Sequence, residues 1–333
     1  MTEAGDWTPG IWKGYDFASA RKTFDKNRAS PDVDKYAGRS YTKSPNYVVP
    51  EDIVPRTIES GSKQVLCFIL DDTGSMGTWP GVIIEKLGYF ELEAKEYLGE
   101  DLEMCFSVIG DAYADSFPAL QVRPFTKGTE LVEELLKLKI VGQGGGQTTE
   151  SYELAVLYFV RNVLIPNAKR PILIIIGDEQ PYDFVDKDQA KSLAHVNLEG
   201  RMSTKEVFEE LKRKFSVNMI RKPYNSSSGN SMSDLDRKIY GKWAELVGAE
   251  NIYDLPDPAR VVDLIFGILA KETGRMEYFH DEIEGRQRPD QVAVVYKSLD
   301  SVHRLSDGKR PELRSGDSRM HRPMDGEETK PLI

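Results

Sequence analysis

The sequence has few of the residues that build disulfide-rich or zinc-binding proteins. It contains two cysteines in 333 residues, and Cys67 and Cys105 each lie in an apolar, strand-like run. We therefore expect two buried thiols in a reducing compartment, although a single disulfide would also fit the count. The four histidines are scattered without the spacing of metal ligands, which argues against a zinc site.

Long apolar runs and a surplus of positive charge are also missing. The longest apolar runs, such as residues 171–176, fall far short of the ~20 residues that a membrane-spanning helix needs. The first residues lack the basic and apolar regions of a secretory signal, so we expect a cytoplasmic protein that does not span a membrane. The formal net charge is −10, which argues against general binding to nucleic acid or anionic lipid, because both need excess Lys and Arg.

Three regions differ in composition. Residues 1–62 carry several proline breakers and little apolar periodicity, which predicts a flexible N-terminal extension. In residues 63–274, apolar runs of strand length alternate with helical patterns, as expected of a folded domain. Residues 275–333 are predicted to form one further helix, over residues 291–305, followed by a disordered tail.

The middle region predicts an α/β fold. Residues 65–70 form a continuous apolar run, typical of a buried parallel strand. Helical spacing follows over residues 83–98, and a later helix is predicted over residues 151–164. The repeated alternation indicates a doubly wound, mostly parallel sheet with helices on both faces. Residues 119–125 follow the strand at 102–110 too closely for a helical crossover, so we expect an antiparallel edge strand there.

Three polar clusters fall at the carboxyl ends of predicted strands, where open α/β sheets bind their ligands. The first follows the opening strand, the second is a glycine-rich loop at residues 142–149, and the third follows the strand at 172–176. Two carboxylates and several hydroxyls suit a small hard cation such as Mg²⁺, which takes about six oxygen ligands and releases its waters reluctantly. The candidate ligands are Asp71, Thr73, Ser75, Thr148 or Thr149, and Asp178.

This constellation resembles the metal-ion-dependent adhesion site (MIDAS) of von Willebrand factor A (vWA) domains. The family pattern is Asp-x-Ser/Thr-x-Ser after the first strand, a Thr on a glycine-rich loop, and an Asp after the fourth strand. Asp71, Thr73 and Ser75 match the first element, Thr148 after three glycines matches the second, and Asp178 matches the third. The resemblance covers residues 63–274 and implies a Rossmann-like vWA fold of the intracellular prokaryotic or phage type.

The resemblance also implies a function. In the family, residues at the positions of Thr73, Ser75 and Thr148 bind the metal directly, while those of Asp71 and Asp178 act partly through water. An Asp or Glu of a partner protein completes the coordination. A Mg²⁺-dependent protein interaction module without catalysis is therefore expected, with Mn²⁺ or Ca²⁺ as alternative metals. Intracellular members often work beside AAA+ ATPases, which makes such a complex a candidate partner.

A second resemblance offers an enzyme alternative. Residues 71–75 also resemble the aspartyl-phosphate loop of haloacid-dehalogenase-like phosphatases, in which Asp71 would attack phosphate with Mg²⁺ neutralising the charge. Against it, Thr73 stands where those enzymes carry their general acid, and the glycine-rich loop has no role. No lysine is evidently placed to bind phosphate, since Lys169 precedes its strand. A structural domain with a degenerate metal site is a third alternative, although all five oxygen-bearing positions are filled.

Two further acidic residues, Asp111 and Asp115, follow the strand at 102–110. They could widen an acidic rim around the metal. Solvated turn residues are the favoured interpretation, because Asp is common in strand connections.

Overall fold

The computed structural model describes residues 49–87, 90–115, 118–140, 142, 148–224 and 232–300. The predicted extension up to residue 48 and the predicted tail from residue 301 therefore lie outside the described residues. Within the described ranges, no helix has the length and apolarity needed to cross a membrane. The strands are β1 (Ile58–Glu59), β2 (Gln64–Asp71), β3 (Leu102–Ile109), β4 (Leu120–Val122), β5 (Thr149–Glu150), β6 (Val163–Leu164), β7 (Ile172–Gly177), β8 (Gln180–Pro181), β9 (Phe184–Val185), β10 (Met202–Ser203), β11 (Ser216–Arg221) and β12 (Ile252–Asp254).

Helices connect most of these strands. The pattern predicted over residues 83–98 corresponds to two helices on either side of residues 88–89, which are outside the described ranges. The helices are α1 (Trp79–Leu87), α2 (Phe90–Leu98), α3 (Thr129–Lys137), α4 (Tyr152–Arg161), α5 (Lys187–Leu193), α6 (Thr204–Lys214), α7 (Asp234–Val247), α8 (Val261–Thr273), α9 (Met276–Arg286) and α10 (Pro289–Leu299).

A six-stranded sheet forms the centre of the fold, in the order β12-β11-β7-β2-β3-β4. The first five strands are parallel to their neighbours. β4 pairs antiparallel with β3, so the antiparallel edge strand expected from the sequence is confirmed. The apolar strands β2 and β7 lie in the middle of the sheet, where a parallel strand is covered on both faces. The chain is thus an α/β protein with a mostly parallel sheet.

Helices cover both faces of this sheet. Alternate side chains of a strand point to opposite faces, and β2 follows this rule: Cys67 packs in one apolar cluster and Phe68 in the other. The first cluster contains side chains of α4, α5, α6 and α7, and the second contains those of α1, α2, α3 and α8. Both cysteines are buried and free, as expected, and they are paired in register between β2 and β3.

Some elements differ from the sequence-based expectations. The helix predicted over residues 151–164 ends at Arg161, because Val163 and Leu164 pair with β1 as a short parallel strand. Helix α9 was not predicted, and it buries only Phe279 and Ile283 among eleven residues. The last helix ends at Leu299 rather than at residue 305.

The core also draws on residues outside the predicted 63–274 domain. Val49, Val54 and Ile58 are buried in the first cluster. Phe279 and Val295 belong to the second cluster, on the opposite face of the sheet. The described segments on either side of residues 63–274 therefore add to its two apolar layers.

Candidate metal centre

The turn after β2 is built around the carboxylate of Asp71, the last residue of that strand. Its Oδ1 accepts hydrogen bonds from the Thr73 backbone amide (2.8 Å) and from the Thr73 hydroxyl (2.6 Å). An Asp side chain that bonds to the backbone two residues later is a common way to close a turn. A short 3₁₀ turn over Gly74–Met76 follows and brings Ser75 back towards the strand end.

Asp178 joins this group from the neighbouring strand. Because β2 and β7 are parallel partners with Leu70 opposite Ile176, the residues that follow both strands lie at the same edge. The Ser75 hydroxyl donates to Asp178 Oδ1 over 3.0 Å, and it lies 3.0 Å from the Thr73 hydroxyl. Four of the five predicted ligands are therefore brought together by hydrogen bonds.

Each of the two hydroxyls in this group lies beside a carboxylate. A hydroxyl carries one proton, and each of the two hydroxyls has a carboxylate acceptor: Asp71 for Thr73 and Asp178 for Ser75. The two hydroxyl oxygens also lie 3.0 Å apart, and either can donate to the other. Both oxygens carry lone pairs, which a cation requires of its ligands.

Burial disfavours the charged form of both carboxylates. Asp71 and Asp178 are both fully buried. Burial raises the pKa of Asp71 to about 7, and the nearby charge of Asp178 adds to the rise. Burial also raises the pKa of Asp178, while Lys222 opposes the rise. Positive charge at this edge would relieve both groups.

Tyr152, at the start of α4, is a site residue that the sequence analysis missed. Its hydroxyl donates to Asp71 Oδ2, so both oxygens of Asp71 accept hydrogen bonds. A Cβ atom at position 177 would lie 2.8 Å from Tyr152 Cζ, which explains why Gly177 ends β7. The Gly177-Asp178 pair is visible in the sequence. Tyr152, whose ring occupies the space beside Gly177, lies on a different element and could not be linked to that pair from the sequence.

Lys222 is a second residue of this edge that the sequence did not indicate. No lysine was evidently placed to bind phosphate, but Lys222 Nζ lies 2.9 Å from Asp178 Oδ2 and 2.7 Å from the Ser75 carbonyl oxygen. β11 is the parallel neighbour of β7, so the residue that follows β11 falls beside Asp178. The order of strands in the sheet, which the sequence did not supply, decides this contact.

The glycine-rich loop reaches the site at its end. Residues 143–147 lie outside the described ranges, whereas Thr148 and Thr149 lie within them. The backbone amide of Gln180 donates to the Thr148 carbonyl, and β5 (which contains Thr149) pairs parallel with β8. The backbone at Thr148 is thus attached just beyond Asp178. The choice between the two threonine hydroxyls stays a prediction.

Further buried acidic residues surround the turn after β2. Asp111 is fully buried, which contradicts the expectation of a solvated turn residue: it accepts hydrogen bonds from the Tyr113 amide and the Tyr182 hydroxyl, both 3.0 Å long. Glu150 and Glu179 are also buried. Burial, together with the charges of Asp71 and Glu179, raises the pKa of Glu150. This edge of the sheet is therefore strongly acidic.

The carboxylate and hydroxyl oxygens of this site are ligands of the kind that Mg²⁺ binds. In the ranges that the structure describes, no three His, Cys, Asp or Glu side chains are grouped so that they could hold a metal. A metal here would therefore depend on the hydroxyls of Thr73 and Ser75 besides the two carboxylates. Neutral and charged oxygen ligands in combination suit a hard cation that keeps part of its water shell.

Comparisons with known proteins add little to this description. No protein-family model matches the chain, and no curated protein sequence does. Among solved structures, the pilus adhesin SpaC of Lactobacillus rhamnosus GG in its open conformation is similar over 67% of this chain, with 13% sequence identity and a TM-score of 0.46. A second crystal structure of SpaC has 11% identity over 66% of the chain and a TM-score of 0.43. The match covers 31% of the adhesin in both cases.

Proposed function

We propose that this protein is a vWA-type interaction module that presents one Mg²⁺ ion to an acidic residue of a partner protein. The observation that carries the proposal is the pair of hydroxyl oxygens, Thr73 Oγ1 and Ser75 Oγ, 3.0 Å apart between two buried carboxylates. The doubly wound vWA topology is part of the same proposal. Strand order, the antiparallel edge strand and the helices on both faces support it.

Each residue has a role in this proposal. Thr73, Ser75 and Thr148 would offer hydroxyl oxygens to the ion. Asp71 and Asp178 would orient the first two hydroxyls through the hydrogen bonds already described and supply negative charge. A bound Mg²⁺ supplies a Lewis-acidic position for a partner's carboxylate. A cytoplasmic location and a partner among AAA+ ATPase complexes stay predictions.

One observation favours the phosphatase alternative, and another argues against it. Lys222 provides a cation of the kind that binds phosphate, which favours an enzyme. A nucleophilic carboxylate, however, needs an accessible oxygen, and Asp71 is fully buried with hydrogen bonds to both oxygens. The interaction module is therefore the better supported function.

Metal binding and partner binding test the proposal together. Titration calorimetry with Mg²⁺ and Mn²⁺ should show one site in the full chain, and Ser75→Ala should weaken it at least ~10-fold by removing a direct ligand. Thr273→Ala removes a helix-end hydroxyl that bonds to Leu269 and should bind as the wild type does. A pull-down from the native cell should recover a partner with Mg²⁺ but not with EDTA or with Ser75→Ala.

Two outcomes would count against the module. Failure of the wild type to bind either metal removes the proposed site. Mg²⁺-dependent hydrolysis of an acyl phosphate that disappears in Asp71→Asn would favour the enzyme instead.

A further inference from the structure

Lys222 holds a position that any cation at the candidate metal centre must share. Its ammonium group contacts Asp178, a proposed metal ligand, and the carbonyl of Ser75, a second one. The side chain of Asp178 is fully buried, whereas that of Lys222 is 21% exposed. The lysine therefore has a route to solvent that the aspartate lacks.

The backbone that carries Lys222 is held firmly. The Lys222 amide donates to the Gly177 carbonyl over 2.8 Å. The preceding Arg221 is fully buried and bonds to Asp236 and Asp254. The mobile part of Lys222 is thus its four-carbon side chain, whose ammonium lies 5.6 Å from the centre of the Tyr224 ring.

We propose that Lys222 is a tethered cation that competes with the metal for Asp178 and so sets the affinity of the site for divalent ions. The inference rests on the proposed function, since it needs a metal at this place. A cation bound through Ser75 and Asp178 would share a carboxylate with the ammonium group. Two cations that share one partly buried carboxylate repel each other strongly, because the low local dielectric screens them little. Lys222 must therefore leave Asp178 when the metal binds.

The displaced ammonium group can form an ion pair with a partner protein. It stays tethered at the rim of the site, where a partner's carboxylate would offer it a new ion pair. Without a partner protein, Lys222 then destabilises the metal-bound state. When a partner's carboxylate is present, Lys222 stabilises that state. Metal and acidic ligand would bind cooperatively, because each removes part of the cost of binding the other. Lys222 thereby makes the site selective for the combination of metal and carboxylate.

Charge variants of Lys222 test the competition. We expect Lys222→Met to bind Mn²⁺ at least ~10-fold more tightly than the wild type in titration calorimetry without partner. Lys222→Arg keeps the positive charge and should bind as weakly as the wild type. Lys242→Met is the matched control: Lys242 is similarly exposed (24%) and ion-paired, but with Asp183, so its removal should leave Mn²⁺ affinity unchanged.

The sign of the effect separates competition from a structural role. If Lys222 mainly holds the turn through the Ser75 carbonyl, Lys222→Met will bind Mn²⁺ more weakly, and the competition is refuted while the metal site stands. Equal affinity in Lys222→Met and wild type refutes it as well. If neither the wild type nor Lys222→Met binds Mn²⁺, the proposed function fails and the inference fails with it. Circular dichroism and thermal melting confirm that each variant is folded.

Discussion

Two clusters of buried charge lie at the same end of the sheet, and their charges are balanced differently. At the ends of β11 and β12, the guanidinium of Arg221 bonds to Asp254 through two nitrogens (2.7 and 3.0 Å) and to Asp236 through the third (2.7 Å). At the ends of β2 and β7, Asp71 and Asp178 lie near one lysine, whose ion pair is with Asp178. Each cluster holds two aspartates and one cation, but only in the first, which we call balanced, does the cation bond to both aspartates. In the second, which we call unbalanced, the lysine bonds to Asp178, and Asp71 accepts hydrogen bonds from uncharged groups.

The pKa values express the same contrast. Burial disfavours the charge of Asp236, but hydrogen bonds from Arg221 and Ser233 outweigh it and lower the pKa. Burial raises the pKa of Asp71 to about 7, and the hydrogen bonds that oppose the rise come from uncharged groups. A balanced buried cluster serves the architecture, whereas an unbalanced one at a ligand-binding edge indicates a place for a cation. Three predictions test this distinction.

The largest effect is expected from the balanced cluster. Arg221→Met leaves two buried aspartates without their cation, which should lower the free energy of unfolding by about 3–5 kcal/mol. Urea denaturation followed by circular dichroism measures the change. Arg237→Met removes an exposed partner of Asp234 on helix α7 and should have no measurable effect. A small loss in Arg221→Met would mean that the cluster is not the structural element described above.

The unbalanced cluster, at the ends of β2 and β7, should make the stability of the folded protein depend on pH. A carboxyl group with a raised pKa binds its proton more tightly in the folded protein than in the unfolded chain. The free energy of unfolding therefore falls as the pH rises from about 4 to 7. In EDTA, we expect Asp71 to account for roughly 2 to 4 kcal/mol of this fall, and Asp71→Asn to remove that part. Stability measured by urea denaturation at several pH values tests this.

The control for this effect comes from the other cluster. The pKa of Asp236 is lowered, so its contribution is present above about pH 4 and is lost only at lower pH. Asp236→Asn should therefore lower stability without changing the slope between pH 4 and 7. An unchanged slope in Asp71→Asn would contradict the assignment of the strained charge to that residue.

The smallest effect concerns the tyrosine that supports the turn. Tyr152→Phe leaves Asp71 Oδ2 without its hydrogen bond and should cost about 1–2 kcal/mol. Tyr158→Phe, on the same helix, loses a hydrogen bond to the Pro55 carbonyl and should cost a similar amount. Only Tyr152→Phe should also weaken Mn²⁺ binding in calorimetry. Equal Mn²⁺ affinity in the two variants would show that Tyr152 does not position Asp71.

The sheet and the main part of the site could be predicted because both depend on local patterns. The apolar run of β2 identified a buried parallel strand, and the short spacing before β4 identified an antiparallel edge. Residues that follow adjacent parallel strands meet at one edge, and this rule, together with the resemblance to the MIDAS motif, predicted that Asp71, Thr73, Ser75 and Asp178 lie together. The grouping required only that β2 and β7 be neighbours.

Contacts that depend on strand order or on weak patterns were missed. Lys222 reaches Asp178 because β11 lies next to β7, and Tyr152 reaches Asp71 across 81 positions of the chain. Helix α9 has a narrow apolar face, in which Phe279 and Ile283 are buried and Met276 and Tyr278 partly buried. β6 escaped notice because its two residues gain their strand conformation from pairing with β1 rather than from their own pattern.

The two outermost strands of the main sheet have a consequence for self-association. β4 and β12 contain three residues each, whereas the neighbouring β3 and β11 contain eight and six. An outer strand offers unpaired backbone groups to any other chain, and a very short one offers few of them. The apolar central strands β2 and β7 each pair with a strand on both sides and so do not form a border. We expect the protein to resist growth of its sheet into larger β-assemblies even when its concentration is high.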